Sequence, residues 1–167
     1  MVVDVGGWFV GEGAGARARY HPVVPSRIYD SRETQAVGPG STLAVAVGGL
    51  GGVPATAATA VVLNVAVTQP TAESYLTLFP SGGSVPLASN LNFVSGEHVP
   101  NLVIARLSDA GNVSIFNKNG TVDVVADVQG YYTTATASAG KYVANAPARI
   151  LDTRNGTSVP VGLSAHL

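Results

Sequence analysis

The chain has 167 residues, of which 46% are hydrophobic and only 11% are charged, with nine Lys and Arg against ten Asp and Glu. This composition argues against a disordered chain, which combines low hydrophobicity with high net charge. The absence of a basic stripe argues against nucleic acid as a partner. Cysteine is absent, so disulfides and cysteine-based metal sites are excluded. No apolar run approaches the roughly 20 residues that span a bilayer, and we expect no membrane insertion.

In chain order, the apolar segments are short, alternate with polar residues and end at turn residues, a pattern that predicts strands throughout. The predicted strands are 2–9, 42–47, 60–67, 74–79, 89–94, 101–107, 112–117 and 121–132. Helical propensity is confined to 54–62 (PATAATAVV), whose shortness and nearby prolines allow one turn at most.

The best hairpin candidate joins 112–117 to 121–132 through Lys118-Asn119-Gly120. Its Asn-Gly pair is typical of a type I′ turn, which needs two positive φ angles. Seven or eight strands of about six residues predict an all-β fold, an antiparallel β-sandwich of the Ig-like or jelly-roll-like type. A closed β-barrel is the alternative.

Two segments occur twice, in the same order. VVDVGGWF (2–9) resembles VADVQGYY (125–132) at an offset of 123 residues, and YHPVVPSRIYDSR (20–32) resembles YVANAPARILDTR (142–154) at an offset of 122. Nearly equal offsets indicate a tandem unit of about 122 residues. The predicted organisation is the last strand of a preceding repeat at 1–10, a linker at 11–19, one complete repeat at 20–132, a second linker at 133–141 and the opening segment of a following repeat at 142–167.

The segments RIYDSR and RILDTR, together with VVLNV, SNLNF and DVQGYY, resemble a repeat family of secreted and cell-surface proteins from actinobacteria. Members of that family occur in tandem copies or appended to enzymes such as peptidases and cell-wall amidases. The resemblance covers nearly all of 20–132 and both ends. It implies an extracellular or cell-surface location and a role in display or binding, and it brings no catalytic residues with it.

The R-x-x-D-x-R motif at Arg27, Asp30 and Arg32 has two interpretations. Arginine presents a planar fork of donors, so the motif could hold a carboxylate or a sugar. In an extended segment, however, residues 30 and 32 share one face and residue 27 lies on the other, so the three do not form one site unaided. We favour a structural clasp at the opening strand of the repeat, in which Asp30 caps a turn and the arginines reach Asp127 on the last strand.

The second copy of the motif predicts a second clasp of the same kind. Its residues are Arg149, Asp152 and Arg154, with Asp4 as the partner.

Amide side chains beside aromatic rings indicate a different function, sugar binding, because sugar sites combine these two groups. The candidates are Tyr75, Asn90, Asn92, Phe93, Tyr131 and Tyr132. The other interpretation, which we favour for the asparagines, is that they satisfy backbone groups at bulges and turns. Burial of the aromatic rings would weaken the sugar-site hypothesis.

We predict no catalytic residues, no metal site and no cofactor. His21, His98 and His166 do not have a metal-ligand spacing such as H-E-x-x-H, and no G-x-S-x-G or phosphate loop is present. A glycosidase would need two facing carboxylates, and most acids lie in predicted turns.

We therefore expect a non-enzymatic structural and assembly module of a secreted or cell-surface repeat protein. Its partners would be adjacent repeats or copies of itself, joined head-to-tail through strand complementation between 1–10 and 142–167. The alternative is a carbohydrate-binding module that docks on a cell wall or an extracellular glycan.

Overall fold

The computed structural model describes residues 18–134, which form eight strands and one short 3-10 turn. The strands are β1 Arg19–Asp30, β2 Thr42–Ala46, β3 Ala58–Thr68, β4 Ser74–Pro80, β5 Leu91–Phe93, β6 Val99–Arg106, β7 Asn112–Asn117 and β8 Asp123–Thr133, and the 3-10 turn is Ser31–Glu33.

The strands form two antiparallel four-stranded sheets with the orders β1-β8-β3-β6 and β2-β7-β4-β5. The first strand pairs with the last, the second with the seventh, the third with the sixth and the fourth with the fifth. The chain is thus arranged like one long hairpin rolled up into two layers, which is the jelly-roll order. The predicted all-β sandwich is confirmed. Of its variants the jelly roll matches, whereas the Ig-like order and the closed barrel do not.

The core lies between the two sheets and is built from alternate residues of each strand. Val61, Leu63, Val65 and Val67 of β3 are fully buried, because every second side chain of a strand points to the same face. Burial of each such side chain stabilises the fold by about 1.5–3 kcal/mol. The opposing layer supplies Val45, Leu76, Leu78, Val113 and Ile115.

The predicted strands within the described residues all coincide with observed ones to within two or three residues. Residues 54–57 precede β3 as a loop, so the predicted absence of a helix there is confirmed. The described part of the chain has no helix long and apolar enough to span a membrane. The predicted strand 2–9, the terminal segments 1–10 and 142–167 and most of both linkers lie outside the described residues.

The predicted hairpin between 112–117 and 121–132 is wrong, because β7 and β8 belong to different sheets. Gly120 has a positive φ of 58° but Asn119 does not, so the turn lacks the two positive φ angles of type I′.

The buried Asn117 explains how the chain crosses from one sheet to the other at this turn. Its amide nitrogen donates to the carbonyls of Val37, Gly38 and Gly120 at 3.1, 3.2 and 2.8 Å. Its amide oxygen accepts from the Ser74 hydroxyl at 2.8 Å. The side chain therefore links the end of β7 to the loop before β2, to the start of β4 and to the turn that leads into β8.

Candidate functional site

The first and last strands of the unit lie side by side, and an ion pair joins them. Arg27 on β1 is the register partner of Asp127 on β8. Its Nε donates to Oδ1 of Asp127 at 2.9 Å and its Nη2 donates to Oδ2 at 3.4 Å. This two-pronged geometry is the strong form of an arginine–carboxylate contact. The contact predicted between these two residues is present.

The expectation that Arg27 lies on the opposite face from Asp30 is wrong. A bulge between Arg27 and Tyr29 shifts the β1 register by one residue. The strand then ends at Asp30, and Arg32 lies in the 3-10 turn that follows. As a result, the three charged side chains of the motif meet around the Asp30 carboxylate.

Asp30 is the centre of this cluster. Its carboxylate accepts from the backbone nitrogen of Arg32 at 3.1 Å, so it caps the turn as predicted. It also accepts from Arg32 Nε at 2.8 Å and from Arg27 Nη1 at 3.3 Å. The hydrogen bonds from the Arg32 side chain, with the nearby positive charges, lower the pKa of Asp30 to about 2.

Arg32 thus differs from its predicted role. It bonds to Asp30 within the motif and not to Asp127 on the neighbouring strand. The hydrogen bond to Asp30 and the negative charge of Asp30 raise the pKa of Arg32 above its ordinary value. The hydrogen bond to Asp127 and the negative charge of Asp127 raise the pKa of Arg27 in the same way.

Ser31 and Asp123 complete the contact between the turn and the last strand, and the sequence interpretation missed both. The buried Ser31 hydroxyl donates to Oδ1 of Asp123 at 2.9 Å and accepts from the backbone nitrogen of Val124 at 2.8 Å. The repeat held a signal for Ser31, because Thr153 keeps a hydroxyl at the matching position. We call Arg27, Asp30, Ser31, Arg32, Asp123 and Asp127 the clasp. The residues of its predicted second copy, Arg149, Asp152, Arg154 and Asp4, lie outside the described residues.

The six sugar-site candidates fall at two opposite ends of the sandwich. Tyr131 and Tyr132 are half-buried near the end of β8, where Tyr131 stacks on His21 with ring centroids 5.0 Å apart and Tyr132 packs against Tyr20. Asp123, at the start of β8, is eight and nine residues before them and lies roughly 25–30 Å away along the strand. These two tyrosines therefore cannot share a site with the other four candidates.

The oxygens of Asn90 are already used in hydrogen bonds at the β4–β5 hairpin. Its side-chain oxygen accepts from the backbone nitrogen of Leu78 at 2.7 Å, and its carbonyl accepts from the Asn101 amide at 2.7 Å. Here the structural interpretation of the asparagines fits the observed contacts.

Tyr75, Asn92 and Phe93 line one open cavity of about 430 Å³, together with Glu73, Ser74, Val94, Glu97 and Asn119. Phe93 is buried in the core at 3% exposure, so it cannot act as a stacking platform. Tyr75 is half-buried, with its ring 6.4 Å from that of Phe116. The cavity wall thus offers one aromatic ring with amides and carboxylates around it.

Of the seven acids in residues 18–134, three belong to the clasp, two line this cavity, and Glu33 and Asp109 belong to neither. Glu73 and Glu97 both line the cavity, and Glu97 accepts from the backbone nitrogen of Val94 at 3.2 Å, which braces its loop. In residues 18–134, no group of three His, Asp or Glu side chains is placed to hold a metal ion.

No protein-family model matches the chain, and no curated protein matches it. The resemblance to the actinobacterial repeat family stays a prediction, and the clasp and the cavity are the features from which a function is argued.

Proposed function

We propose that the chain is a non-enzymatic structural and assembly module of a secreted or cell-surface repeat protein. Each unit is closed by pairing its first strand with its last. Adjacent repeats or further copies of the chain associate head-to-tail through the same kind of strand pair, formed by 1–10 and 142–167.

The observation that carries this proposal is the clasp between β1 and β8. The two strands come from opposite ends of the unit, and residues 27 and 127 are brought together by a two-pronged ion pair. Because the motif recurs at 149–154 and its partner aspartate recurs at Asp4, the pairing can be repeated wherever one unit ends and another begins. A contact that recurs at every junction suits a structural role better than a catalytic one.

The low charge of the chain supports the same proposal. Only 11% of the residues are charged, so the surface is largely Gly, Ala, Ser, Thr and Asn. A surface of this kind suits association through backbone pairing, in which main-chain hydrogen bonds supply the affinity.

Sedimentation velocity of the full chain tests head-to-tail association. The protein concentration is varied from about 1 μM to about 1 mM, because short linkers give effective concentrations in the millimolar range. We expect the average mass to rise with concentration. The variant with Asp4→Asn and Arg149→Gln should need a higher concentration for the same rise. The matched control with Asp109→Asn and Arg106→Gln, in which the exchanged residues are exposed within the unit, should behave as the original chain. A strict monomer at every concentration would contradict head-to-tail association.

A carbohydrate-binding module is the second candidate function, and the cavity around Tyr75 is the observation that favours it. The described residues give the Tyr75 hydroxyl no hydrogen bond, and the Asn92 amide donates only to Ser89 Oγ at 3.1 Å. Acceptors and donors therefore remain for a sugar beside a half-buried ring.

Binding of the full chain to purified cell-wall polysaccharide and to a glycan array tests this second function. We expect Tyr75→Ala and Asn92→Ala to lose retention, while Tyr132→Ala, at the opposite end of the sandwich, retains it. Absence of retention by the original chain on every glycan would remove the hypothesis.

A further inference from the structure

β2 is an edge strand, and one side of its backbone has no neighbouring strand within residues 18–134. It lies at the end of its sheet, next to β7. The Ser41 carbonyl accepts from the Asn117 nitrogen at 3.0 Å, and the Val47 nitrogen donates to the Gly111 carbonyl at 3.2 Å. Because successive residues of an antiparallel strand direct their N–H and C=O groups to opposite sides, every second residue between 41 and 47 points these groups away from β7. These residues are Thr42, Ala44 and Ala46.

The other edge strands of the sandwich each carry a feature that hinders the addition of a further strand. β1 contains Pro22 and Pro25 and two shifts of register, β6 contains Pro100, and β5 is three residues long. Prolines, bulges and short length are features by which native proteins protect the edges of their sheets. β2 has no proline and pairs with β7 without a shift of register. Among the described strands, β2 is therefore the edge that is open to a further strand.

The surface around this edge is uncharged. The side chains of Thr42, Ala44 and Ala46 are exposed, and the chain has no charged residue between Glu33 and Glu73. The strand and the loops on either side of it therefore offer nothing that selects a charged partner. A second copy of the same surface meets no like-charge repulsion there, which favours self-association.

We infer that β2 pairs antiparallel with the β2 strand of a second copy, across a twofold axis that passes between the two copies of Ala44. The two copies then share one continuous sheet. This contact joins copies side by side, so it is separate from the head-to-tail joining proposed above.

The edge is complementary to itself in this register. Ala44 lies opposite Ala44 of the second copy, and Thr42 lies opposite Ala46 of the second copy, as a twofold axis requires. Since these are the residues whose backbone groups point outward, the pairing forms about six backbone hydrogen bonds.

The same register covers an apolar side chain that one copy leaves half-buried. Leu43 faces the interior of the sandwich and packs against the core, but it lies at the rim of the sheet. Pairing around Ala44 places it opposite Val45 of the second copy. Burial of apolar surface therefore adds to the backbone hydrogen bonds.

Exchange of charge at Ala44 tests the inference in the full chain. The variant with Asp4→Asn and Arg149→Gln is the background, so that head-to-tail joining is weakened. Ala44→Lys then places two positive charges opposite each other across the axis, and Ala44→Glu places two negative ones. Sedimentation velocity and native mass spectrometry measure the dimer fraction as the protein concentration is varied.

We expect each charged variant alone to need an at least about tenfold higher concentration than the background chain for the same dimer fraction. An equimolar mixture of Ala44→Lys and Ala44→Glu should form mixed dimers at the concentration at which the background chain dimerises. This recovery is specific to a contact in which residue 44 meets its own copy.

Ala44→Pro is a second variant, because its missing N–H points away from β7 and the pairing of β2 with β7 keeps all its donors. It should lose the dimer while its urea unfolding remains cooperative. The matched control is Leu102→Lys on the β6 edge, where Leu102 is 61% exposed, and it should dimerise as the background chain does.

A background chain that stays monomeric at every concentration would overturn the inference. Equal dimer fractions in all variants would also overturn it and would leave the β2 edge to another kind of partner. Loss of the dimer in Leu102→Lys alone would assign the contact to β6 instead. Head-to-tail joining is judged by the exchange at Asp4 and Arg149, so either proposal can fail while the other stands.

Discussion

At the scale of single residues, the charges of R-x-x-D-x-R are organised around one carboxylate. Asp30 is 8% exposed and accepts from both arginines of its motif and from a backbone nitrogen. Arg27 in addition reaches across to Asp127. Asp30 thus links the turn, the end of β1 and, through Arg27, the last strand.

The lowered pKa of Asp30 predicts how stability depends on pH. With a pKa of about 2 in the folded chain and near 3.9 in the unfolded one, ionised Asp30 contributes stability above pH 4, and this is lost as pH falls towards 2. Asp30→Asn should be less stable at neutral pH and should lose less stability between about pH 4 and 2. Urea unfolding at several pH values measures this, with the exposed-loop variant Asp109→Asn as the control. Parallel pH profiles of Asp30→Asn and the original chain would contradict the assignment.

Gly130 yields a second prediction at this scale. Since a Cβ there would overlap the Tyr20 ring and the His21 carbonyl, Gly130→Ala should destabilise the fold by about 1–3 kcal/mol. Gly38→Ala is the matched control, because its nearest neighbour, Ser41 Oγ, is 3.4 Å away. Thermal unfolding of both variants compares them, and equal stability would show that β1 moves aside at no cost.

At the scale of elements, the sequence predicts strands well and their pairing poorly. Alternation locates β2, in which Leu43 and Val45 face the core between exposed residues. In β4 and β7 consecutive residues are buried on both faces, so these strands are located by their short length and the turn residues around them. The Asn119-Gly120 turn predicts a hairpin from local residues alone, whereas the chain crosses between sheets there. The sequence also does not predict the bulge after Arg27, because a one-residue shift in register leaves the local residue types unchanged. The internal repeat, in contrast, pointed to the correct partner strand for β1.

Asn117 provides the prediction for this scale. Asn117→Ala removes one hydrogen-bond partner from each of three carbonyls and from the Ser74 hydroxyl at the crossing between the sheets. The Val37 and Gly38 carbonyls keep backbone donors, but the Gly120 carbonyl and the Ser74 O–H lose the partner that Asn117 supplies. We expect the free energy of unfolding to fall by about 2 kcal/mol, because these buried groups lose their hydrogen bonds. The exposed Asn92→Ala should change it by less than about 0.5 kcal/mol. Urea unfolding measures both, and a loss no larger than that of Asn92→Ala would show that the crossing does not depend on the side chain.

At the scale of the whole molecule, the rolled-up hairpin brings the two ends of the unit together. β1 and β8 lie next to each other, and the cavity around Tyr75 lies at the opposite end of the sandwich. A tandem array of such units would therefore be joined through one end of each sandwich, with the other end facing away from the linkers. This leaves the cavity end accessible for display.

The central claim is that pairing of the first and last strands closes the unit. A double-mutant cycle of Arg27→Met and Asp127→Asn in the full chain, measured by urea unfolding, tests this claim most directly. The ion pair predicts that each single variant loses stability and that the double variant loses less than the sum of the two. Strictly additive losses, or single variants as stable as the original chain, would show that the contact between the two strands does not hold the unit closed.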